Sequence, residues 1–371
     1  MKLSNELEAY FIIVSTIIGL GIFYLPYTFW QSGYYFLFWI IFLFFIFLTL
    51  HLILGEILMQ TKEKYNLPGL ASIYLHPLMK NIVWLFDYFG MLGVFLIYFN
   101  SLVEFWHIIL PNFNPFFLKI LFAIFNIFFI FKDIRIFSKM EAVLTIGIFL
   151  IAFSIIFLLL PNFNLSYFNT ALRNDFQPFL PYSVLLFALS GTSALPIVCD
   201  LIGKNKKSFF KINFFGIVTI ILIYIIYSVV SVGVLGEKIS EESLKSLAPY
   251  FPKIFLIFAI IFVTLNITFV DMAFYLKRGL INDYKFSPKF ANWILFISII
   301  PLTLIGHNSL IAIIDLTSSI FLGFNLFIIG LIYLKLKQKE YFKIPNFVVL
   351  ILIAVFIFGI IWFILDKTIK A

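Results

Sequence analysis

The sequence predicts an all-α integral membrane protein of eleven transmembrane helices. Two inverted halves of five helices are followed by one appended helix, with the first and sixth helices broken at mid-membrane. Three observations carry this reading: apolar content, the alternation of basic charge, and two interrupted apolar spans half a chain apart. Of 371 residues, 63% are hydrophobic and 12% charged, with a mean hydropathy of +1.09. Repeated apolar runs of about 18 residues or more exceed what a soluble core needs. The opening MKLSNELEAY carries two glutamates and no small-residue cleavage site follows, so no removable signal peptide is expected. The single cysteine, Cys199, excludes an intrachain disulfide framework, and His51, His76, His107 and His307 are too scattered for a metal signature. No metal and no nucleic acid partner is expected. A formal charge of +8 is what a spanning protein with lysine-rich loops carries. The 52 phenylalanines suit lipid-facing positions.

Apolar runs bounded by charge, Pro or Asn place spans at 8–29, 34–59, 82–110, 115–131, 142–160, 178–202, 212–235, 254–276, 291–305, 309–334 and 344–366. Connections this short leave no room for a soluble domain. Residues 1–371 are thus one membrane unit, with halves at 8–160 and 178–334 and a last helix at 344–366. Nineteen of the 26 Lys and Arg fall on one set of alternate connections, among them Lys62, Lys64, Lys204, Lys206, Lys277 and Arg278. The positive-inside rule then puts the N-terminus in the cytoplasm and the C-terminus outside a cell (inner) membrane crossed many times. A missed span would invert every later loop and erase the asymmetry.

The first span reads STIIGLGIFYLPY from Ser15 to Tyr27, with Gly19 and Gly21 interrupting it and Pro26 following. Two glycines one residue apart favour local unwinding, and close packing through small residues is the alternative. The sixth span holds LLFALSGTSALPIVCD from Leu185 to Asp200, where Ser190, Gly191, Thr192 and Ser193 precede Pro196. Hydroxyls compete for backbone hydrogen bonds and proline removes one. Five spans per half, an odd number, force the second half to run oppositely to the first. Paired interruptions at corresponding positions of inverted halves point to the binding site of a secondary transporter.

The run IIGLGIFYLPYTFWQSG, from Ile17 to Gly33, resembles the first-helix signature of the amino acid/auxin permease family, within the amino acid–polyamine–organocation superfamily. FALSGTSALP, from Phe187 to Pro196, resembles the same family's second signature, and IIDLTSSIFLGFNLFIIG from Ile313 adds weaker support. The chain is similar in compactness to the prokaryotic hydroxy/aromatic amino acid permeases, but departs from their GAGM-type spelling. The resemblance implies a LeuT-like fold that moves an amino acid with a proton or sodium gradient. Helices one, two, six and seven would rock against the rest. No other cofactor is implied, and a monomer is compatible.

An amino acid zwitterion can be held by half-helix ends, whose free N–H groups suit a carboxylate and whose carbonyls accept from an ammonium. This nominates the backbones of Ile18, Gly19, Gly21 and Ile22, with Ser190, Gly191, Thr192 and Ser193 opposite. By resemblance, Tyr98 on helix three reaches the carboxylate; core packing suits it equally. Thr264 and Thr268 share one face of helix eight. By resemblance, Thr268 with Ser15 and Ile18 would suit a sodium site, while back-bonding to their own helix is the alternative. Helix five lacks the lysine of proton-coupled relatives. Asp271 and Asp315 are the carboxylates suited to a proton carrier or gate. By resemblance Glu56 accepts N–H groups from a broken helix. Asp87, Glu104, His107 and His307 are expected near solvated interfaces. A channel, a membrane enzyme, or a transporter of another amine or organic acid are the competing readings.

Overall fold

The computed structural model describes residues 4–131, 134–168, 176–265, 268–306, 309–336 and 338–370, with the side chains of 134–144, 262–265, 268, 367, 369 and 370 left aside. Among them there is no strand. The first span divides into α1 (Asn5–Ile17), a 3-10 turn (Leu20–Tyr24) and α2 (Leu25–Ser32). There follow α3 (Tyr35–Gln60), the short α4 (Leu67–Tyr74), α5 (Met79–Ile109), α6 (Pro115–Ile130) and α7 (Ile134–Leu159). The sixth span divides into α8 (Leu180–Ala188) and α9 (Leu195–Ile202). Then come α10 (Lys206–Leu235), the small α11 (Ser243–Leu247), α12 (Lys253–Leu265), α13 (Thr268–Asn282) and α14 (Pro288–Ile299). The chain ends with α15 (Leu310–Leu316), a π-helical turn (Thr317–Leu322), α16 (Gly323–Lys335) and α17 (Asn346–Lys370).

Among the described residues, seven helices are long and apolar enough to cross a membrane, and an eighth is added when α1 and the Leu20–Ser32 segment count as one bent span. Pro115–Ile130 and Pro288–Leu304 are shorter apolar helices. Residues 266 and 267, outside the described set, separate α12 from α13. The count of eleven therefore stays an expectation, while the multi-pass membrane character is plain.

Helix starts follow local chemistry. Side-chain oxygens of Asn114, Asn205, Ser287 and Ser309 cap α6, α10, α14 and α15 by accepting from Phe116, Ser208, Phe290 and Ala312 N–H groups. Gly33 ends α2 at φ 55° and Gly203 ends α9 at φ 63°, angles that a β-carbon disfavours. The two interrupted spans thus share a proline early in the second piece and a left-handed glycine at its end. Phe38, Phe45, Phe117, Phe128, Phe153 and Phe157 point outward. Such a surface suits lipid, where apolar side chains lose nothing by exposure.

Hydrogen bonds sort the connections onto two faces. On one, Asn5 Nδ2 donates to Leu201 O (3.1 Å), Gln60 Nε2 to Gln338 O (3.2 Å), Asn66 N to Asp283 Oδ1 (3.0 Å) and Lys277 Nζ to Ile130 O (2.8 Å). On the other, Gln177 N donates to Gln31 O (3.0 Å), Asn164 N to Gly233 O (2.7 Å), Ser309 Oγ to Glu241 Oε1 (2.8 Å) and Lys119 Nζ to Ile305 O (2.7 Å). The first face gathers the connections rich in Lys and Arg. We refer to it as the lysine-rich face.

Asp87 departs from its expected place. It is 3% exposed and accepts from Asn325 Nδ2 at 3.0 Å, because α5 carries it between neighbouring helices where a side-chain amide replaces water. Glu104 meets Lys245 at 2.9 Å and His107 Nε2 lies 2.9 Å from Phe113 O; His307 lies outside the described residues.

Candidate functional site

The first break follows from Ile18 and Gly19. The Ile18 N–H closes α1 on Val14 O at 2.9 Å, the Gly19 N–H turns back to Ile17 O at 2.8 Å, and Gly19 itself is extended at φ −95°, ψ −154°. No α-helical ladder survives that geometry. The chain resumes as a 3-10 turn and then α2, where Pro26 occupies a first-turn position whose N–H would be spare in any case. The pieces on either side meet at 41°.

The second break spans 189–191. The Leu189 N–H reaches Leu185 O at 2.9 Å and the Ser190 N–H Phe187 O at 3.3 Å, after which Gly191 (φ −127°, ψ 12°) leads into a 3-10 turn at Thr192–Ala194. Among the described spans only the first break bends the chain by more than 40°. The sixth is interrupted but keeps nearer its direction.

The two breaks touch. A β-carbon placed on Gly21 would stand 2.8 Å from Ala188 Cβ, and one on Gly191 would stand 2.5 Å from Ile17 Cγ1. Only glycine permits both approaches. Carbonyls at the two helix ends converge on one hydroxyl from α10: Tyr224 Oη lies 3.0 Å from Ile17 O and 2.9 Å from Ala188 O. Its single proton is shared between them. The sequence reading did not nominate Tyr224; its one signal was a polar tip in an apolar helix, which needs a partner when buried.

Between the breaks lies a cavity of about 30 Å³, lined by Gly19, Gly21, Tyr98, Ser190, Thr192 and Ser193 together with Thr16 and an apolar wall that includes Met91, Val94, Phe187, Met272 and Leu322. That volume suits one or two waters, so the site is nearly closed in this conformation. Six nominated residues thus meet around one space. Ile18 and Ile22 instead face a second cavity of about 30 Å³ shared with Gly19, Ile148, Ile151, Ala152 and Tyr227. Gly191 backs the first cavity through Ile17 and approaches the His51 ring. Tyr98 is 2% exposed and meets the Phe269 ring edge-on at 6.2 Å.

Of the coupling nominations, Ser15 is buried and donates back to Ile12 O at 3.1 Å, the local bond that a helical serine makes for itself. The side chains of Thr264 and Thr268 lie outside the described residues, and Asp271 sits in the first turn of α13. Glu56 does collect peptide N–H groups, but from the connection after α16 instead of a broken helix. Its carboxyl accepts from Glu340 N (2.6 Å), Tyr341 N (2.9 Å) and Phe342 N (2.5 Å), and from Gln60 Nε2 at 2.5 Å. Glu56 lies in the last turns of α3, toward its lysine-rich end.

The two faces differ in the charges and the space they carry. On the lysine-rich face Asp200, just past the second break, pairs with Lys64 at 3.1 Å and Arg278 at 3.4 Å, tying α9 to the connection after α3 and to α13. The opposite face holds a vestibule of about 600 Å³. Its described lining carries the carboxyls of Glu241, Asp315 and Asp366, the amides of Gln31 and Gln177, and rings including Tyr27, Phe179 and Trp362, without Lys or Arg. Beside it the α11 loop is latched down. Tyr24 Oη donates to Glu242 Oε1 at 2.7 Å and lies 2.5 Å from Ser101 Oγ, while Ser243 Oγ donates to Phe23 O at 2.8 Å. Burial lifts the Glu242 carboxyl to about 8.

No family model matches the sequence, and no curated protein does. Solved structures match over nearly the whole chain. MhsT in complex with L-phenylalanine superposes with a TM-score of 0.71 at 14% identity, covering 95% of this chain and 98% of that one. Mhp1, a nucleobase-cation-symport-1 family transporter in a closed conformation with bromovinylhydantoin bound, gives 0.69 at 13% identity over 97% and 90%. A manganese transporter of Eremococcus coleocola, solved as a histidine-to-alanine mutant, gives 0.66 at 13% identity over 97% and 85%. At such identities the likeness is one of fold, and the chain has the LeuT-like fold with its interrupted first and sixth spans side by side.

Proposed function

We propose that this chain is a secondary active transporter that imports an amino acid by alternating access, driven by a proton or sodium gradient. The observation that carries the reading is the meeting of two interrupted spans around one cavity walled by peptide groups and hydroxyls. Backbone left unsatisfied in a bilayer costs several kcal/mol per group, roughly, and is tolerated where it lines a cavity or is buried in protein. The peptide N–H group at Gly21 suits a carboxylate, and the hydroxyls of Ser190, Thr192 and Ser193 suit the remaining polar edge. Met91, Val94, Phe187, Met272 and Leu322 favour an apolar side chain over a charged one. The MhsT structure, with L-phenylalanine bound to that protein, supports the same substrate class.

The pairing of Asp200 with Lys64 and Arg278, set against the wide vestibule opposite, fits a conformation in which the site is nearly closed and the larger aqueous space lies on the lysine-poor side. The charge rule assigns that side to the exterior. Purified protein should melt at a higher temperature with apolar L-amino acids, because a ligand of the folded state alone stabilises it. Proteoliposomes should accumulate the same amino acids against their gradient. Saturable uphill uptake separates a transporter from a channel. If no amino acid shifts the melting point under any combination of sodium and pH, the substrate class is wrong.

A further inference from the structure

His51 stands directly behind the second break. It projects from α3, is 0% exposed, and its Cε1 would lie 3.4 Å from a β-carbon on Gly191. The Phe47 ring meets it edge-on at 6.3 Å. Its tautomer follows from its neighbour. Asn213 Nδ2 donates to Phe209 O at 2.8 Å, so the atom that Asn213 turns to His51 is the acceptor Oδ1, 2.9 Å from Nδ1. Nδ1 therefore carries the hydrogen and Nε2 holds a lone pair. That lone pair is buried and has no hydrogen-bond partner among the described residues. Among the described residues Nε2 is thus the one ring nitrogen that the packing leaves without a partner, while Nδ1 satisfies Asn213 Oδ1.

We propose that His51 Nε2 is the proton-binding site that links the second break to a proton gradient, an inference that rests on the transporter reading and names its coupling ion. Elements packed around the ring carry few charges that could substitute. On α3, Glu56 is bound to 340–342; on α1, Glu6 accepts from Ser208 Oγ and Glu8 lies toward the exposed N-terminus. On α9, Asp200 pairs with Lys64 and Arg278, beside Cys199; on α10 Lys206, Lys207 and Lys211 sit in the first turns; on α16 Lys335 sits at the far end, and on α8 Tyr182 reaches toward Val355 O. None of these makes a hydrogen bond or ion pair with the ring. A proton on Nε2 needs an acceptor, and the closed break between Ile17 and Gly191 offers none. Water entering an opened break does. Protonation and opening therefore favour each other. A proton from water forms the Nε2–H bond, and the same proton returns to water on the other side when that bond breaks.

The test uses full-length protein labelled with ¹⁵N-histidine in nanodiscs, its His51 signal assigned by loss in H51Q. Near neutral pH the Nδ1–H tautomer should be seen, and acidification should titrate Nε2 together with increased water exchange at 189–194. In proteoliposomes without sodium, an inward proton gradient should raise uptake of L-alanine, L-leucine or L-phenylalanine about tenfold, a coupling of ordinary size. H51Q should lose that response while the same amino acids still raise its melting point. A gradient response retained in H51Q, or a proton on Nε2 at neutral pH, overturns the proposal. Should no amino acid bind either protein, the transport reading fails while the tautomer and titration still decide the proton site. Should H51Q not fold, H51F and the wild-type spectra decide.

Discussion

The Tyr224 hydroxyl lies 3.0 Å from the Ile17 carbonyl oxygen, and the same hydroxyl lies 2.9 Å from the Ala188 carbonyl. One side chain from α10 thus holds the last peptide groups of both interrupted spans. Tyr224→Phe keeps the ring and removes the donor. Ile17 O keeps the Gly19 N–H, but Ala188 O loses its donor, and an orphaned buried acceptor costs about 1–3 kcal/mol, so the melting temperature should fall by several degrees and substrate affinity should fall with it. An unchanged melting temperature and affinity would mean that the Ala188 carbonyl finds another donor.

Gly21 and Gly191 admit no side chain. A β-carbon would approach Ala188 Cβ to 2.8 Å and Ile17 Cγ1 to 2.5 Å, distances that force the breaks apart. Gly21→Ala and Gly191→Leu should insert normally yet lose amino acid binding, read by melting-point shift, with Gly191→Leu the more severe. Binding that survives in Gly191→Leu argues against a site between the breaks.

The Glu242 latch should depend on pH. Its carboxyl titrates near 8 when tucked against Tyr24 and Ser101, above the ordinary value of about 4.5, so the latched state binds the proton more tightly. The stabilisation is complete below the ordinary value and is lost as pH rises through about 8. Hydrogen exchange across 239–250, compared with Glu242→Gln at each pH, should show the wild type loosening above neutrality and the variant staying flat.

Asp200 ties α9 to Lys64 and Arg278 on the lysine-rich face. Partly exposed pairs contribute about 0–1 kcal/mol each, so Asp200→Asn should shift the conformational balance only a few-fold toward opening on that side. Reactivity of the neighbouring Cys199 toward a soluble maleimide measures it. Reactivity unchanged by the substitution and by substrate would deny the gate.

Both breaks were legible because their cause is local: Gly19, Gly21 and the Ser190–Ser193 stretch weaken a helix wherever it packs. Gly19, Gly21, Ser190, Thr192 and Ser193 followed, since neighbours of a break in sequence are neighbours in space, whereas Tyr98 came from the resemblance and the apolar wall from neither. Tyr224, Asp200, Glu242 and His51 were not legible in those roles. Tyr224 and Ile17 are 207 positions apart, and no pattern in either segment encodes the other. Glu56 shows the boundary between the two kinds of knowledge. That a buried carboxyl would gather peptide N–H groups was readable, but which segment supplies them depends on how the last connection crosses α3.

That crossing has a consequence for any shortened chain. The Glu56 carboxyl is 0% exposed and drawn to successive amides at 340–342, while Tyr333 Oη accepts from the Ile344 N–H at 2.8 Å. Truncation ahead of residue 340 would delete more than a terminal rod: it would strand an acid in a dry interior, where an unanswered charge is far dearer than the helix removed.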